Sequence, residues 1–285
     1  MTRRHDAKLH FRVGQLPSPR SKIVNLLRTY LFARSRPSPA PDPRPAESLE
    51  DPIVENFRAE FNAFAELARA TSLRFKLDWD DRYPCLNDRT DTTPFDRHYV
   101  YHTAWAARVL AATRPENHID ISGYIYFCAI VSAFVPVRFY DYRPANLRLS
   151  QLDSERGDLT CLPFADQSIA SLSCMHVIEH IGLGRYGDPL DPDGDLKAMN
   201  ELKRVLAPEG DLLFVVPIGY PRICFNAHRI YSPEHIIEIF SDLQLKELAL
   251  IPDRANDGDL VVDPGLELLA RQSYGCGCFW FRRAS

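Results

Sequence analysis

Beyond Asn117 the chain alternates short apolar runs with segments of helical spacing, and that alternation limits the available folds more than any other feature. Candidate strands cover residues 118–121, 137–140, 169–175, 211–217, 246–251 and 276–282, with helical stretches at 124–133, 196–205 and 233–240. Strands separated by helices pair in parallel through right-handed crossovers, which predicts an open, doubly wound α/β sheet. The last two strands have only residues 253–271 between them, so they are expected to form an antiparallel edge. Upstream, Phe57, Phe61, Phe64, Leu67 and Ala68 recur at three- and four-residue spacing, and residues 99–112 repeat it. A helical extension over 50–113 ahead of an α/β core over 117–285 is therefore expected.

The net charge of −4 hides a division along the chain. Residues 1–45 carry ten Lys or Arg against Asp6 and Asp42, a balance of +8, which leaves −12 for the remainder. An acidic body argues against nucleic acid as a partner, because phosphate binding needs clustered Lys and Arg. Pro37, Pro39, Pro41, Pro43 and Pro45 make a stiff spacer. The segment SKIVNLLRTYLFA (21–33) reads either as disordered chain or as a short basic amphipathic helix. Residues 1–49 are thus expected to be a disordered arm, with peripheral contact to an anionic membrane through residues 1–45. The longest nearly apolar run, 124–137, contains Ser132 and Pro136 and falls short of the roughly 20 residues a membrane span needs. No transmembrane segment or secretory signal is expected, and cytoplasmic residence follows. Seven cysteines without a C-x-x-C pair suit reduced thiols; Cys276 and Cys278 share one face of a strand but supply only half of a four-ligand zinc site.

In doubly wound sheets a ligand sits beyond the carboxyl ends of the strands, where strand order reverses. The first strand ends in Asp120-Ile-Ser122-Gly123-Tyr124, and the second ends in Asp141, 21 positions past Asp120, where a carboxylate can hold ribose hydroxyls. Asp158 precedes the next strand, which runs into His176-Val-Ile-Glu179-His180.

The block DLTCLPFADQSIASLSCMHVIEH, followed by ELKRVLAPEGDLLFVVP, resembles the second half of a class I S-adenosylmethionine-dependent methyltransferase domain. More specifically, HIDISGYIYF, FYDYRP, EHIGLGRYGDPLDPDGDL, FNAHRIYS and SYGCGCFWF resemble a bacterial family known only as domain of unknown function 268, found among polysaccharide-biosynthesis genes, over about residues 99–282. The resemblance implies a Rossmann-like methyltransferase fold with S-adenosylmethionine as cofactor. It carries Asp120 to the acid of the first motif, with Ser122 and Gly123 in the following turn. Asp141 goes to the ribose, Asp158 to the adenine amino group, and Met175 and His176 to the methyl-transfer site. The sequence departs from the pattern where glycines usually alternate after the first acid: Ser122, Tyr124 and Tyr126 stand there, and Gly123 is out of frame. The implied function is methyl transfer to a sugar hydroxyl in surface-polysaccharide synthesis. The alternative is a non-methylating member that binds or scaffolds a glycan intermediate.

HVIEH has three readings. It matches the H-x-x-E-H zinc-protease pattern. His176, Glu179 and His180, joined by His228, could instead hold a divalent metal that lowers the pKa of an acceptor hydroxyl. Otherwise Glu179 and His180 brace the strand-to-helix turn. His176, with an ordinary pKa near 6.5, is a candidate general base. Residues 182–195, with four glycines and four aspartates, suggest a mobile lid. Arg222, His228, Arg229 and Tyr231 follow the 211–217 strand, where an acceptor would lie, and Ser232-Pro233 reads as a helix N-cap.

Overall fold

The computed structural model describes residues 52–69, 75–121 and 123–285; the expectations for the arm (1–49) and for Ser122 lie outside the described residues. Two compact units divide at residue 96/97. In the smaller, helix α1 (Pro52–Arg69) sets Phe57 and Phe61 against Trp79, at ring-centroid distances of 5.9 and 4.9 Å. The guanidinium groups of Arg58 and Arg82 also lie over the Trp79 ring. Phe64 and Leu67, on the same apolar stripe, are exposed.

The larger unit opens with α2 (Arg97–Thr113), so the second helix of the expected extension belongs to the sheet unit. Then come β1 (His118–Ile121), α3 (Ile125–Val131), β2 (Val137–Asp141), β3 (Leu152–Arg156), β4 (Ile169–Met175), α4 (Gly194–Val205) and β5 (Leu206–Ile218). They are followed by β6 (Arg222–Cys224), β7 (His228–Ile230), α5 (Pro233–Ile239), β8 (Gln244–Ile251), β9 (Val261–Val262), α6 (Leu266–Ala270) and β10 (Gly275–Arg282). The sheet order is β3-β2-β1-β4-β5-β10-β8-β9, with β6 and β7 forming a separate hairpin. Strands β1 to β5 pair in parallel. Strand β10 runs antiparallel to both β5 and β8, and β9 antiparallel to β8. This is the expected α/β sheet, mostly parallel with an antiparallel side. Its order reverses between β1 and β4.

Alternation along the central strands builds two cores. In β5, Leu212, Phe214 and Val216 face α4 and α5 through Met199, Leu202 and Ile236, whereas Leu213 and Val215 face α2 and α3 through Trp105, Leu110, Phe127 and Val131. Burying one such Leu or Phe contributes about 1.5–3 kcal/mol, so a strand apolar on both faces is stable only between two helical layers. Edge strand β3 (LDSER) buries Leu152 alone, and for that reason carries no apolar pattern. Strand β5 begins five residues earlier than the 211–217 run suggests, because its pairing with β4 shifts register between Ile169 and Ser171.

Candidate functional site

The carboxyl end of β1 is a buried polar chain. Asp120 has no exposed surface; its Oδ1 accepts the Gly123 backbone N–H at 2.8 Å, and its Oδ2 accepts the Ser173 hydroxyl of β4. His118, equally buried, bridges Ser171 Oγ and Ser173 Oγ, each at 2.8 Å. Burial pushes the Asp120 carboxyl up to about 6 against the pull of the Ser173 and Gly123 hydrogen bonds. It pushes His118 down to about 3, so the ring is neutral near pH 7. A Cβ at Gly123 would stand 2.6 Å from Asp120 Oδ1, which gives this out-of-frame glycine a steric reason of its own.

Asp141 ends β2, half-buried, and accepts the Arg143 N–H at 2.6 Å. Asp158 lies exposed two residues past β3 and accepts both N–H and hydroxyl of Thr160. The three carboxylates thus sit at or just past the carboxyl ends of three adjacent parallel strands, β1, β2 and β3. Tyr124, the N-cap of α3, is 39% exposed and its ring meets Tyr99, while Tyr126 is 66% exposed. Met175 is corrected: its side chain is buried in the core among Trp105, Phe127 and Val215 and does not line the rim.

His176 leaves β4 in the left-handed region (φ 57°), a conformation that costs a non-glycine residue about 1–3 kcal/mol and recurs at functional sites. The 3-10 turn at Ile178–His180 then brings Glu179 Oε1 to 2.8 Å from His176 Nδ1. His176 Nε2 lies 3.4 Å from Cys276 Sγ. A connected run of rings surrounds the imidazole. Tyr126 meets Tyr124, Tyr124 meets Tyr99, and Tyr99 and His98 both stack on His176. Tyr274 joins His98 to His228. His102 meets His176 edge-on; its Nδ1 lies 2.6 Å from His98 O and its buried Nε2 has no hydrogen-bond partner. Burial, with His176 alongside, pushes His102 down to about 3. His176 thus directs Nδ1 at Glu179 and Nε2 at Cys276 and packs against Tyr99, His98 and His102, where the sequence reading expects a base facing a sugar hydroxyl.

The metal set expected from HVIEH is not assembled either. Glu179 Oε1 is spent on His176, and His180 Nδ1 is held by Ala227 O at 2.6 Å. His228 packs on Tyr274. Among the described residues, the group of His, Cys, Asp and Glu side chains whose ligand atoms converge within 4.8 Å is instead His98, His176 and Cys276. Burial lowers the pKa of both His180 and His228.

Residues 182–195 form a tied loop in place of the expected lid. The Asp188 carboxylate accepts the N–H groups of Gly182, Gly184 and Tyr186, and Asp191 N–H donates to Gly182 O. Arg229 and Tyr231 fasten this loop to the hairpin and are corrected from substrate residues. Arg229 is buried and donates to Ile181 O and Pro192 O, with Nε 3.5 Å from Asp195 Oδ2; the Tyr231 hydroxyl donates to the same carboxylate at 2.8 Å. Arg222 is exposed and donates to Tyr220 O and Ser273 O. Ser232 caps α5 through His235 N–H, as its sequence position predicts.

Sequence reasoning missed His98, Tyr99, His102, Tyr274 and the part played by Cys276. One signal was available: His98 and His102 lie a helical turn apart, with Tyr99 between them.

A family model described as "Caenorhabditis protein of unknown function, DUF268" matches residues 165–246, so its description names an animal genus and not bacteria. No curated protein matches. Similar solved structures include the N-methyltransferase NodS from Bradyrhizobium japonicum with S-adenosylhomocysteine, at 16% identity, covering 68% of this chain and 90% of that one, with a TM-score of 0.47. The Burkholderia thailandensis 1,6-didemethyltoxoflavin-N1-methyltransferase, with its substrate and S-adenosylhomocysteine, gives 10%, 85%, 94% and 0.47. The YcgJ protein of Bacillus subtilis gives 15%, 65%, 99% and 0.46.

Proposed function

We propose that this chain transfers a methyl group from S-adenosylmethionine to a hydroxyl of a sugar, free or as the activated precursor of a surface polysaccharide. The observation that carries this reading is the row of Asp120, Asp141 and Asp158 at the carboxyl ends of the adjacent parallel strands β1, β2 and β3, beside the reversal of strand order between β1 and β4, the place where such sheets take nucleotides. The donor set fits the cofactor. Asp141 would accept the ribose hydroxyls and Asp158 the adenine amino group, while Asp120 stays beneath them and holds the β1-to-α3 turn through Gly123. When bound, the cofactor supplies an electrophilic methyl on a sulfonium centre, and positioning does most of the catalysis. His228, half-buried with its pKa lowered by burial, takes the proton of the acceptor hydroxyl. The partly exposed rings of Tyr124, Tyr126 and Tyr274 suit the apolar face of a sugar, and the acidic rim suits its hydroxyls. Among the described residues no helix is long and apolar enough to cross a membrane.

Calorimetry with S-adenosylmethionine and S-adenosylhomocysteine tests the proposal. The wild type is expected to bind both, and Asp141→Ala to lose about tenfold or more in affinity, the worth of a hydrogen bond to a charged group. No heat at millimolar ligand with folded protein refutes it. That outcome favours the second reading, a non-methylating glycan binder, whose supporting observation is the packing of His98, Tyr99 and His102 over His176.

A further inference from the structure

We infer that His98, His176 and Cys276 form a zinc site with three protein ligands, built where α2, the end of β4 and the start of β10 meet. Their ligand atoms all lie within 4.8 Å of one another. Zinc takes imidazole nitrogen at about 2.0–2.1 Å and thiolate at about 2.3 Å in a tetrahedron, so a nitrogen and a sulfur on one ion stand about 3.5 Å apart. The measured separation of His176 Nε2 and Cys276 Sγ is 3.4 Å. Two imidazoles sharing such an ion have centroids about 5 Å apart by the same geometry. Those of His98 and His176 are 5.5 Å apart with their planes 8° from parallel, so the His98 ring turns about its side-chain torsions to bring its lone pair onto the ion.

Glu179 supplies an independent argument. Its carboxylate accepts from His176 Nδ1–H, which turns the lone pair of Nε2 toward Cys276; this carboxylate–histidine arrangement is the usual support behind a metal-bound imidazole. Glu179 is 2% exposed, its Oε2 has no hydrogen-bond partner, and among the described residues the charged groups within ion-pair distance are His176 and His180. A buried carboxylate without Lys or Arg lacks countercharge, and a dication on the adjacent ring provides it. Cys278 Sγ, 4.0 Å from Cys276 Sγ, places a second polarisable sulfur beside the site.

Thiol, imidazole and carboxylate in this order also describe an activated nucleophile. Cys276 has no exposed surface and sits among Met175, Val215 and Cys278, so no substrate carbon reaches its sulfur. An ion does. Binding deprotonates the thiol: the S–H bond breaks, its electron pair forms the sulfur–zinc bond, and one proton leaves to solvent. Both imidazoles ligate as neutral donors, and the fourth position takes an oxygen ligand.

The test is cobalt titration of the metal-free full chain, independent of cofactor binding. A thiolate-to-cobalt charge-transfer band is expected to saturate at about one equivalent and to be displaced by zinc, as for one tetrahedral site. Cys276→Ser should abolish the band with an unchanged circular dichroism spectrum. His98→Ala, at a half-buried position on the surface of α2, should weaken cobalt affinity at least about tenfold; it carries the test if the serine variant does not fold. His180→Ala and His228→Ala should leave the band intact. No band in the wild type, a band that survives Cys276→Ser, or loss of the band in His228→Ala overturns the inference. Stoichiometric alkylation of Cys276 in wild-type protein that gives no band overturns it in favour of the nucleophile.

Discussion

Replacing Asp120 with asparagine should stabilise the fold, and by an amount that depends on pH. In the wild type Ser173 donates to Asp120 Oδ2, so proton accounting makes His118 Nε2–H the donor to Ser173 Oγ and leaves Nδ1 to accept from Ser171. In Asp120→Asn the new side chain keeps the Gly123 hydrogen bond through its carbonyl oxygen. Its amide N–H now donates to Ser173, the Ser173 hydroxyl turns to His118 Nε2, and the ring changes tautomer to donate to Ser171. No partner is lost. What disappears is the cost of a fully buried negative charge. Burial raises the folded carboxyl from 3.8 to about 6. At about 1.4 kcal/mol per pH unit, the ionised form costs the folded state about 3 kcal/mol. The sign follows from proton binding. Between about pH 4 and 6 the unfolded chain has lost this proton while the folded chain keeps it, so wild-type stability falls as pH rises through that window and levels off above it. The variant lacks that decline. Urea unfolding of both proteins at pH 4, 5, 6 and 7 measures the difference, in which groups common to both cancel. The advantage of Asp120→Asn should grow by about 2.4 kcal/mol from pH 4 to pH 7, since part of the difference is already present at pH 4. A difference constant within about 1 kcal/mol, or a variant less stable at pH 7, would refute both the burial argument and the reversible hydrogen-bond chain.

Two further substitutions probe the tied loop. Gly182 and Gly187 share positive φ values of 80° and 82°, but a Cβ at Gly182 would meet Asp191 O at 2.0 Å whereas at Gly187 it would meet nothing within 4 Å. Gly187→Ala should therefore lower unfolding stability by only about 1 kcal/mol, and Gly182→Ala by at least about 3 kcal/mol; equal urea midpoints would remove the steric reading. Tyr231→Phe takes the hydroxyl from the buried Asp195 carboxylate and should cost about 1–3 kcal/mol in the same assay, where a loss below about 0.5 kcal/mol would free Tyr231 for a role in substrate binding.

Much of the sheet was legible because its central strands are buried on both faces. Residues 169–175 and 276–282 read as strands from their apolar runs, and the second pairs antiparallel with β8 as expected, although it also inserts against β5 and so is not an edge. Strand β3 was not legible, since an edge strand that buries one residue in five has no pattern to show. The acids after β1 and β2 could be found from spacing, because a βαβ unit fixes the distance between strand ends. The loop at 182–195 misled: its glycines and aspartates suggest mobility, whereas Asp188 and Arg229 use that composition to bind backbone groups. Cys276 and His98 could not be joined from the sequence, because 178 positions separate them and only tertiary structure closes that distance.

The position of β10 bears on the timing of folding. This strand enters between β5 and β8, both of which are complete well before residue 275 is made. At about 5–20 residues per second, a growing chain spends seconds with two strands aligned in the same direction and an empty lane between them. During that interval the backbone N–H and C=O groups of β5 and β8 that will face β10 are open to any extended peptide, including the same strand of a neighbouring nascent chain. A ribosome-stalled chain from which residues up to about 270 have emerged should therefore be protease-sensitive and prone to chaperone capture, and both properties should vanish together once residues 275–282 emerge.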